Sequence, residues 1–290
     1  MEARFLGFFD LALSNPNTRR NYRRVVSDFV AYCDGQSLHS ICDVHETHVA
    51  GYVNQVVASH APATAQMHAG AIRRFFQWLV TGKVLNTNPA EAVRAPKHRD
   101  RGRKVVLMQM DEAKALVEAI DDTTNIGLRD RAMIAVMIWT FARIGTILEM
   151  KVRDAFIREG RQFLRLKDGD ERPCDQVLGR YVEAYINGCQ LSDTPDAPLF
   201  QTIKRGSGQK GGTGQLSGEP LLQSNIYKRI RHYASASGLT DNVGGRAVRA
   251  TGLVAFLQQG GALETASAMA GHNSTRPTKS YSRPNPSNRA

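Results

Sequence analysis

Apolar residues recur at helical spacing along most of this chain, and strand-like alternation is confined to one short central stretch. Tyr22, Val25, Val26, Phe29 and Cys33 line one face of a helix that the pattern starts at Pro16, capped by Ser14 or Asn15, and ends at Gly35. Val49, Tyr52, Val53, Val56 and Val57 form a second stripe. After the turn at Ala61-Pro62, Ile72, Phe75, Phe76 and Leu79 form a third, and Asn88-Pro89-Ala90 with Val93 predicts a short closing helix. A charged run from Pro96 to Lys104 interrupts the pattern. Helices follow at 111–120 and 127–141, the second apolar on every side and so expected to be buried, and a helical stripe resumes over 145–151. Residues 156–158 and 162–166 have strand character, and Asp168-Gly169 is a turn signal that puts Lys167 on a hairpin tip. Helices are predicted at 175–187, from a cap at Ser224 through Ile226, Ile230 and Tyr233, and from Arg249 into Leu253–Leu257. The stretch 204–220, rich in Gly and Ser, lacks the phosphate-loop signature and is expected to be a flexible loop.

The class this predicts is mainly α with a small β-hairpin or sheet. A helical domain spans 1–95, a basic linker 96–104, and a mixed α+β domain 105–290. A chain of 290 residues is long enough for two such cores.

Charge narrows the choice of partner. With 38 Lys and Arg against 27 Asp and Glu, the net charge is +11, which favours a polyanion: nucleic acid first, a membrane surface second. Arg19, Arg20, Arg23 and Arg24 crowd one helix, largely off its apolar stripe. Together with Arg73, Arg74, Lys97, Arg101, Arg103, Lys204, Lys228 and Arg231 they are candidate contacts to a DNA backbone, and a solvated charged face is the competing reading of each. No apolar run approaches the length of a membrane span. The opening Met-Glu-Ala-Arg lacks the signal-peptide pattern, so a cytoplasmic, nucleoid-associated protein of prokaryotic or phage origin is expected. Cys33, Cys42, Cys174 and Cys189 make no metal-binding spacing, and His45 with His48 lacks a third ligand, so no metal is assigned.

Three polar residues stand where apolar periodicity does not ask for them: Arg249, His272 and Tyr281. A guanidinium in the first turn of a helix is a poor neighbour for the dipole, and an anion bound there relieves the conflict. Tyr281 follows His272 by nine positions and Arg249 by 32. In this the chain resembles the tyrosine recombinases, or phage integrases. Their second box runs H-x-x-R, then G-H, then a nucleophilic Tyr nine residues on, and Arg249, Gly271-His272 and Tyr281 stand at those places. The family's first box, T-G-x-R with a later Asp, is similar to Thr140-Phe141-Ala142-Arg143 and Asp154. Its hairpin Lys is similar to Lys167 in Leu164–Gly169. Four boxes in the family's order extend the likeness over nearly the whole chain.

The resemblance implies that Tyr281 attacks a DNA phosphorus to give a 3′-phosphotyrosyl link and that Arg143 and Arg249 grip the non-bridging oxygens. Lys167 would protonate the leaving 5′-oxygen, and His272 would hydrogen-bond a phosphate oxygen. No cofactor is implied, because the link stores the energy of the broken bond. The implied partners are double-stranded DNA carrying specific sites, a homotetramer on that DNA and accessory DNA-bending proteins. Two positions depart from the family. Arg246 stands where the H-x-x-R box has His, and Thr146 where an acidic residue follows the first Arg, so slower chemistry is expected. Nine residues after Tyr281, with Pro284 and Pro286 among them, predict an extended rather than helical exchanged element, and no additional arm-binding domain is expected. The alternatives are a type IB topoisomerase-like nicking and resealing enzyme, and a DNA-binding protein with a decayed catalytic site.

Overall fold

In a computed structural model the described residues are 7–9, 12–38, 40–95, 107–204, 214–239 and 243–281. The linker positions Lys97, Arg101 and Arg103 and the segment after Tyr281 lie outside them. The chain divides into two compact units, 1–103 and 104–290.

The first unit is built on three helices: α1 (Pro16–Gly35), α2 (Glu46–Ser59) and α3 (Pro62–Thr81). Asn15 caps α1, its side-chain oxygen accepting from the amides of Asn17 and Thr18, and Pro16 stands where a missing N–H costs nothing. The three predicted stripes meet around Phe29, which is fully buried with its ring 5.2 Å from Tyr52 and 5.8 Å from Phe76 in edge-on arrangements. Truncating such a ring to Ala costs about 3–5 kcal/mol, enough to threaten a helical unit of this size. Val57 is the exception to its stripe, being on the exposed side of α2.

The closing helix predicted at Asn88 is absent; residues 88–93 form turns and bends. The Asn88 side chain accepts from the Ala90 amide at 2.9 Å, which offers the backbone a turn instead of a helix. Arg73 secures that turn, donating to the carbonyls of Ala90 and Val93.

The second unit surrounds α5 (Asn125–Thr140), where Ala132–Ile138 is fully buried. Before it lies α4 (Met110–Glu118), and against it pack α7 (Gln176–Gly188) and α9 (Gly245–Gln258), while α8 (Gln223–Ala236) reaches it through Arg229 and Tyr233, both donating to Asp130. Gly252 is what permits α9 to press against the last turn of α5. A Cβ there would stand 1.8 Å from the Ile138 carbonyl oxygen. α5 ends at Phe141, whose φ of +55° lies in the left-handed region that a helix end favours and a bulky residue seldom occupies. The chain leaves it extended through Arg143 into α6 (Ile144–Glu149).

Strands β1 (Ala155–Arg158), β2 (Arg161–Arg165) and β3 (Glu171–Pro173) form an antiparallel sheet in that order, and Lys167 lies in the turn between β2 and β3. The sheet is tied to the end of α5 by Arg172, whose Nη1 donates to the Thr140 carbonyl at 2.5 Å. β3 was not predicted, because three residues of mixed charge ending in proline carry no alternation. In the same way β4 (Gln201–Ile203) pairs with β5 (Leu216–Pro220), so the end of the supposed flexible loop is a strand. Ser224 lies inside the first turn of α8, which is capped at Leu222. The unit closes with α10 (Leu263–Met269) and α11 (Thr275–Lys279).

Candidate functional site

α9 begins at Gly245, earlier than its apolar run suggested, with Gly244 as cap. Arg246 is therefore the residue in the first turn, exposed, and Arg249 lies one turn deeper and half-buried. The correction comes from packing: Gly245 sits against Ile144 and Met137, where a side chain would collide, so the helix can start against the core.

Five of the six proposed catalytic residues gather at one place. The Arg249 guanidinium donates through Nη2 to the Ala270 carbonyl and lies 3.1 Å from His272 Nε2. Gly271, with φ of +59°, turns the chain between α10 and α11 tightly enough that a Cβ there would lie 3.2 Å from Arg143 Nη1. Glycine meets that positive φ and close approach at the least cost. Tyr281 follows α11, its amide donating to the Thr278 carbonyl at 2.9 Å. Its ring packs on the small cluster of Phe141, Leu253 and Ala270. Thus the end of α5, the middle of α9 and the chain after α11 share one apolar support and present their polar ends beside one another.

The electrostatics agree with an anion site. Burial, then the neighbouring Arg143, pushes Arg249 down to about 10, and Arg246 acts in the same direction, while Tyr281 opposes them. His272 is held below the ordinary histidine value by burial, then by Arg249 and Arg143. Among the described residues none of Arg143, Arg246 and Arg249 has a carboxylate within ion-pair distance. Three neighbouring guanidiniums without a counter-charge among the described residues carry an electrostatic cost that a bound phosphate removes, and a planar fork suits it.

Lys167 is set apart from these five. Its ammonium, exposed in the β2–β3 turn, lies 3.8 Å from the Glu149 carboxylate at the end of α6. Two residues of the site were not foreseen. Thr278, fully buried on α11, has its hydroxyl 2.8 Å from His272 Nδ1. Gly252 had a signal in the sequence, since a glycine inside an apolar helix costs stability unless another backbone approaches closely. Thr278 had none.

The candidate DNA contacts fall into two sets. Arg19 donates twice to the Leu13 carbonyl, Arg23 covers the Phe9 ring at 5.3 Å, Arg24 pairs with Asp28 and Arg74 donates to the Ala12 carbonyl. Arg73 is the clearest departure, a half-buried internal clamp on the 88–93 turn and neither a solvated side chain nor a free DNA contact. Arg20, Lys204, Lys228 and Arg231 are exposed.

Known proteins are similar to this chain in sequence and in fold. The profile described as phage integrase family matches residues 107–288, and that described as phage integrase, N-terminal SAM-like domain, matches residues 9–83. The tyrosine recombinase XerC of Myxococcus xanthus is 26% identical over 271 residues, covering 92% of this chain and 87% of the relative. XerC of Escherichia coli K12 is 25% identical over 272 residues, covering 92% and 85%. Among solved structures, XerH site-specific recombinase bound to difH substrate in a pre-cleavage complex aligns with TM-score 0.70 at 16% identity, over 98% of this chain and 82% of that one. A lambda integrase tetramer bound to a Holliday junction aligns with TM-score 0.67 at 17% identity, over 98% and 79%.

Proposed function

Because the chain belongs to the phage integrase family and is a tyrosine recombinase, we propose that it cuts and rejoins double-stranded DNA at specific sites through a 3′-phosphotyrosyl intermediate, as a tetramer holding two duplexes. The observation that carries the reading is the convergence of Arg249, His272 and Arg143 beside Tyr281, with no carboxylate among the described residues to neutralise the guanidiniums. The solved relatives on difH DNA and on a Holliday junction support the partner and the assembly.

The chemistry follows from the groups present. Arg143 and Arg249 hold the non-bridging oxygens of one phosphodiester, each offering parallel hydrogen bonds that strengthen as the transition state gathers charge. Tyr281 Oη attacks phosphorus in line with the leaving 5′-oxygen, releasing its phenolic proton to solvent, and the P–O5′ bond breaks as the new P–O bond forms. Lys167 supplies the proton to that 5′-oxygen once its turn swings away from Glu149. His272 hydrogen-bonds a phosphate oxygen. Resealing reverses the steps when a 5′-hydroxyl from the other duplex attacks the phosphotyrosine. Arg246 adds a third cation but accepts no proton near neutral pH.

Exposed basic residues such as Arg20, Lys204, Lys228 and Arg231 supply backbone contacts of the kind that make binding fall by about 0.9 log units per log unit of salt for each phosphate neutralised. A supercoiled plasmid carrying two copies of the preferred site tests the reading. Excision or inversion of the intervening segment is expected. Relaxation without site dependence would favour a nicking and resealing enzyme, and binding without any strand breakage would favour a decayed site, for which Arg246 and Thr146 are the relevant departures.

A further inference from the structure

Arg249 and Thr278 together set which nitrogen of the histidine between them carries its proton. A guanidinium nitrogen can only donate, so in this arrangement His272 Nε2, 3.1 Å from Arg249 Nη2, presents its lone pair. The ring's single proton in the neutral state is then on Nδ1, which among the described residues faces the Thr278 hydroxyl at 2.8 Å. Thr278 is completely buried, one turn before the chain reaches Tyr281. The turn carrying the imidazole is itself held: the His272 amide donates to the Ser267 carbonyl at 3.0 Å, and the Ser267 hydroxyl donates to the Ser274 carbonyl at 3.1 Å.

We propose that Thr278 is a positioning residue for the strand-cleavage reaction: by accepting the Nδ1 proton of His272 it locks the imidazole as the Nδ1–H tautomer and leaves Nε2, facing Arg249, as the one nitrogen that can gain a proton. The role rests on the recombinase reading above, since it gives His272 a phosphate to meet. The consequence is specific. With Nδ1 committed to Thr278, His272 donates to a phosphate oxygen only after Nε2 has itself been protonated, so the donating form is the imidazolium. The charged groups acting on the ring are Arg249 from α9 and Arg143 from the segment before α6, and Arg246 and Tyr281 act on Arg249 in turn. A phosphate between the two guanidiniums relieves their opposition and invites the proton. Proton uptake and phosphate capture become one event, and the residue that makes them one is an uncharged threonine.

The test uses the full-length protein labelled with 15N at histidine, the His272 signals being identified as those lost in His272→Gln. In the free protein above pH 7 the expected spectrum shows a protonated Nδ1 and an unprotonated Nε2, unchanged in Thr278→Ser, which keeps the acceptor. In Thr278→Val the Nε2–H tautomer appears, single-turnover DNA cleavage falls on the order of 10-fold, the lower end of what losing the outer partner of a metal-bound histidine costs, and the acid-favoured limb of its pH profile flattens. Should Val not be accommodated, Thr278→Ala removes the same acceptor without adding bulk and reads out identically. A wild-type spectrum with the proton on Nε2, or a Val or Ala variant with unaltered tautomer and unaltered pH profile, overturns the proposal. Because the tautomer is read without DNA, a protein that shows the expected spectra yet never cleaves DNA would refute the recombinase reading and leave the histidine lock standing.

Discussion

Glu149 and Lys167 form an ion pair at 3.8 Å that joins the end of α6 to the β2–β3 turn. The pair is exposed, so its worth is about 0.2–1 kcal/mol in water. It nonetheless occupies the ammonium that the proposed mechanism uses at the leaving oxygen. Glu149→Gln is therefore expected to leave thermal stability almost unchanged and to raise the single-turnover cleavage rate by up to about 5-fold, the rate equivalent of that energy. High salt should shrink the difference. A slower variant would show that Glu149 assists Lys167 instead of restraining it.

Arg246 invites a direct repair. At its place in the first turn of α9 a histidine would add a group able to take the Tyr281 proton, so Arg246→His is expected to raise the single-turnover rate by about 10-fold or more, within the range of general-base contributions. A drop would show that the guanidinium is adapted to its position, binding phosphate instead of taking a proton.

DNA affinity should depend on pH through His272. In the free protein its charged form is disfavoured by burial, then by Arg249 and Arg143. A bound phosphate favours that form, so the bound-state pKa lies above the free-state one and binding takes up a proton between them. Affinity then rises as pH falls through the bound-state value and levels off below the free-state value, by up to tenfold per pH unit within the window. Titrations at constant ionic strength over about pH 8 to 5.5 test this. His272→Gln should lose the dependence, and a wild-type protein with no dependence would contradict the linkage.

Gly252 sets the distance between α5 and α9. Gly252→Ala drives a methyl group to within 1.8 Å of the Ile138 carbonyl oxygen unless the helices part. Overpacking of this kind costs about 1–3 kcal/mol, and melting should fall by about 2–4 °C for each of them in a unit of this size. Cleavage should fall further than stability alone explains, because the same separation moves Arg249 away from Arg143. Unaltered melting would show that the helices adjust without strain.

Much of this site was legible in the sequence, for a physical reason. Arg249, His272 and Tyr281 stand against apolar periodicity, where a polar group carries a cost, and their spacing, with Arg143, resembles the boxes of a known family. The helices were legible wherever one face is apolar, as in α1 to α3. Other features depended on contacts between distant segments. The start of α9 is set by Gly245 against Ile144, and strands β3 and β5 exist because a neighbouring strand supplies their hydrogen bonds. Asn88 and Arg73 show the reverse case, in which a side chain competing for the backbone replaces a helix that the apolar spacing permits. Thr278 gave no signal because a buried threonine beside a charged lysine looks like any helix residue until the imidazole is seen above it.

Covalent capture on Tyr281 examines the convergence most directly. Full-length protein is incubated with a library of nicked DNA duplexes whose cleaved strand loses its short 5′-hydroxyl fragment, and the trapped adducts are digested and mapped by mass spectrometry. The expected result is DNA joined through a 3′-phosphate to the peptide containing Tyr281, lost in Tyr281→Phe and strongly reduced in Arg249→Lys, which keeps the charge but not the fork. Adducts on another residue, or undiminished DNA joining by Tyr281→Phe, would contradict the account.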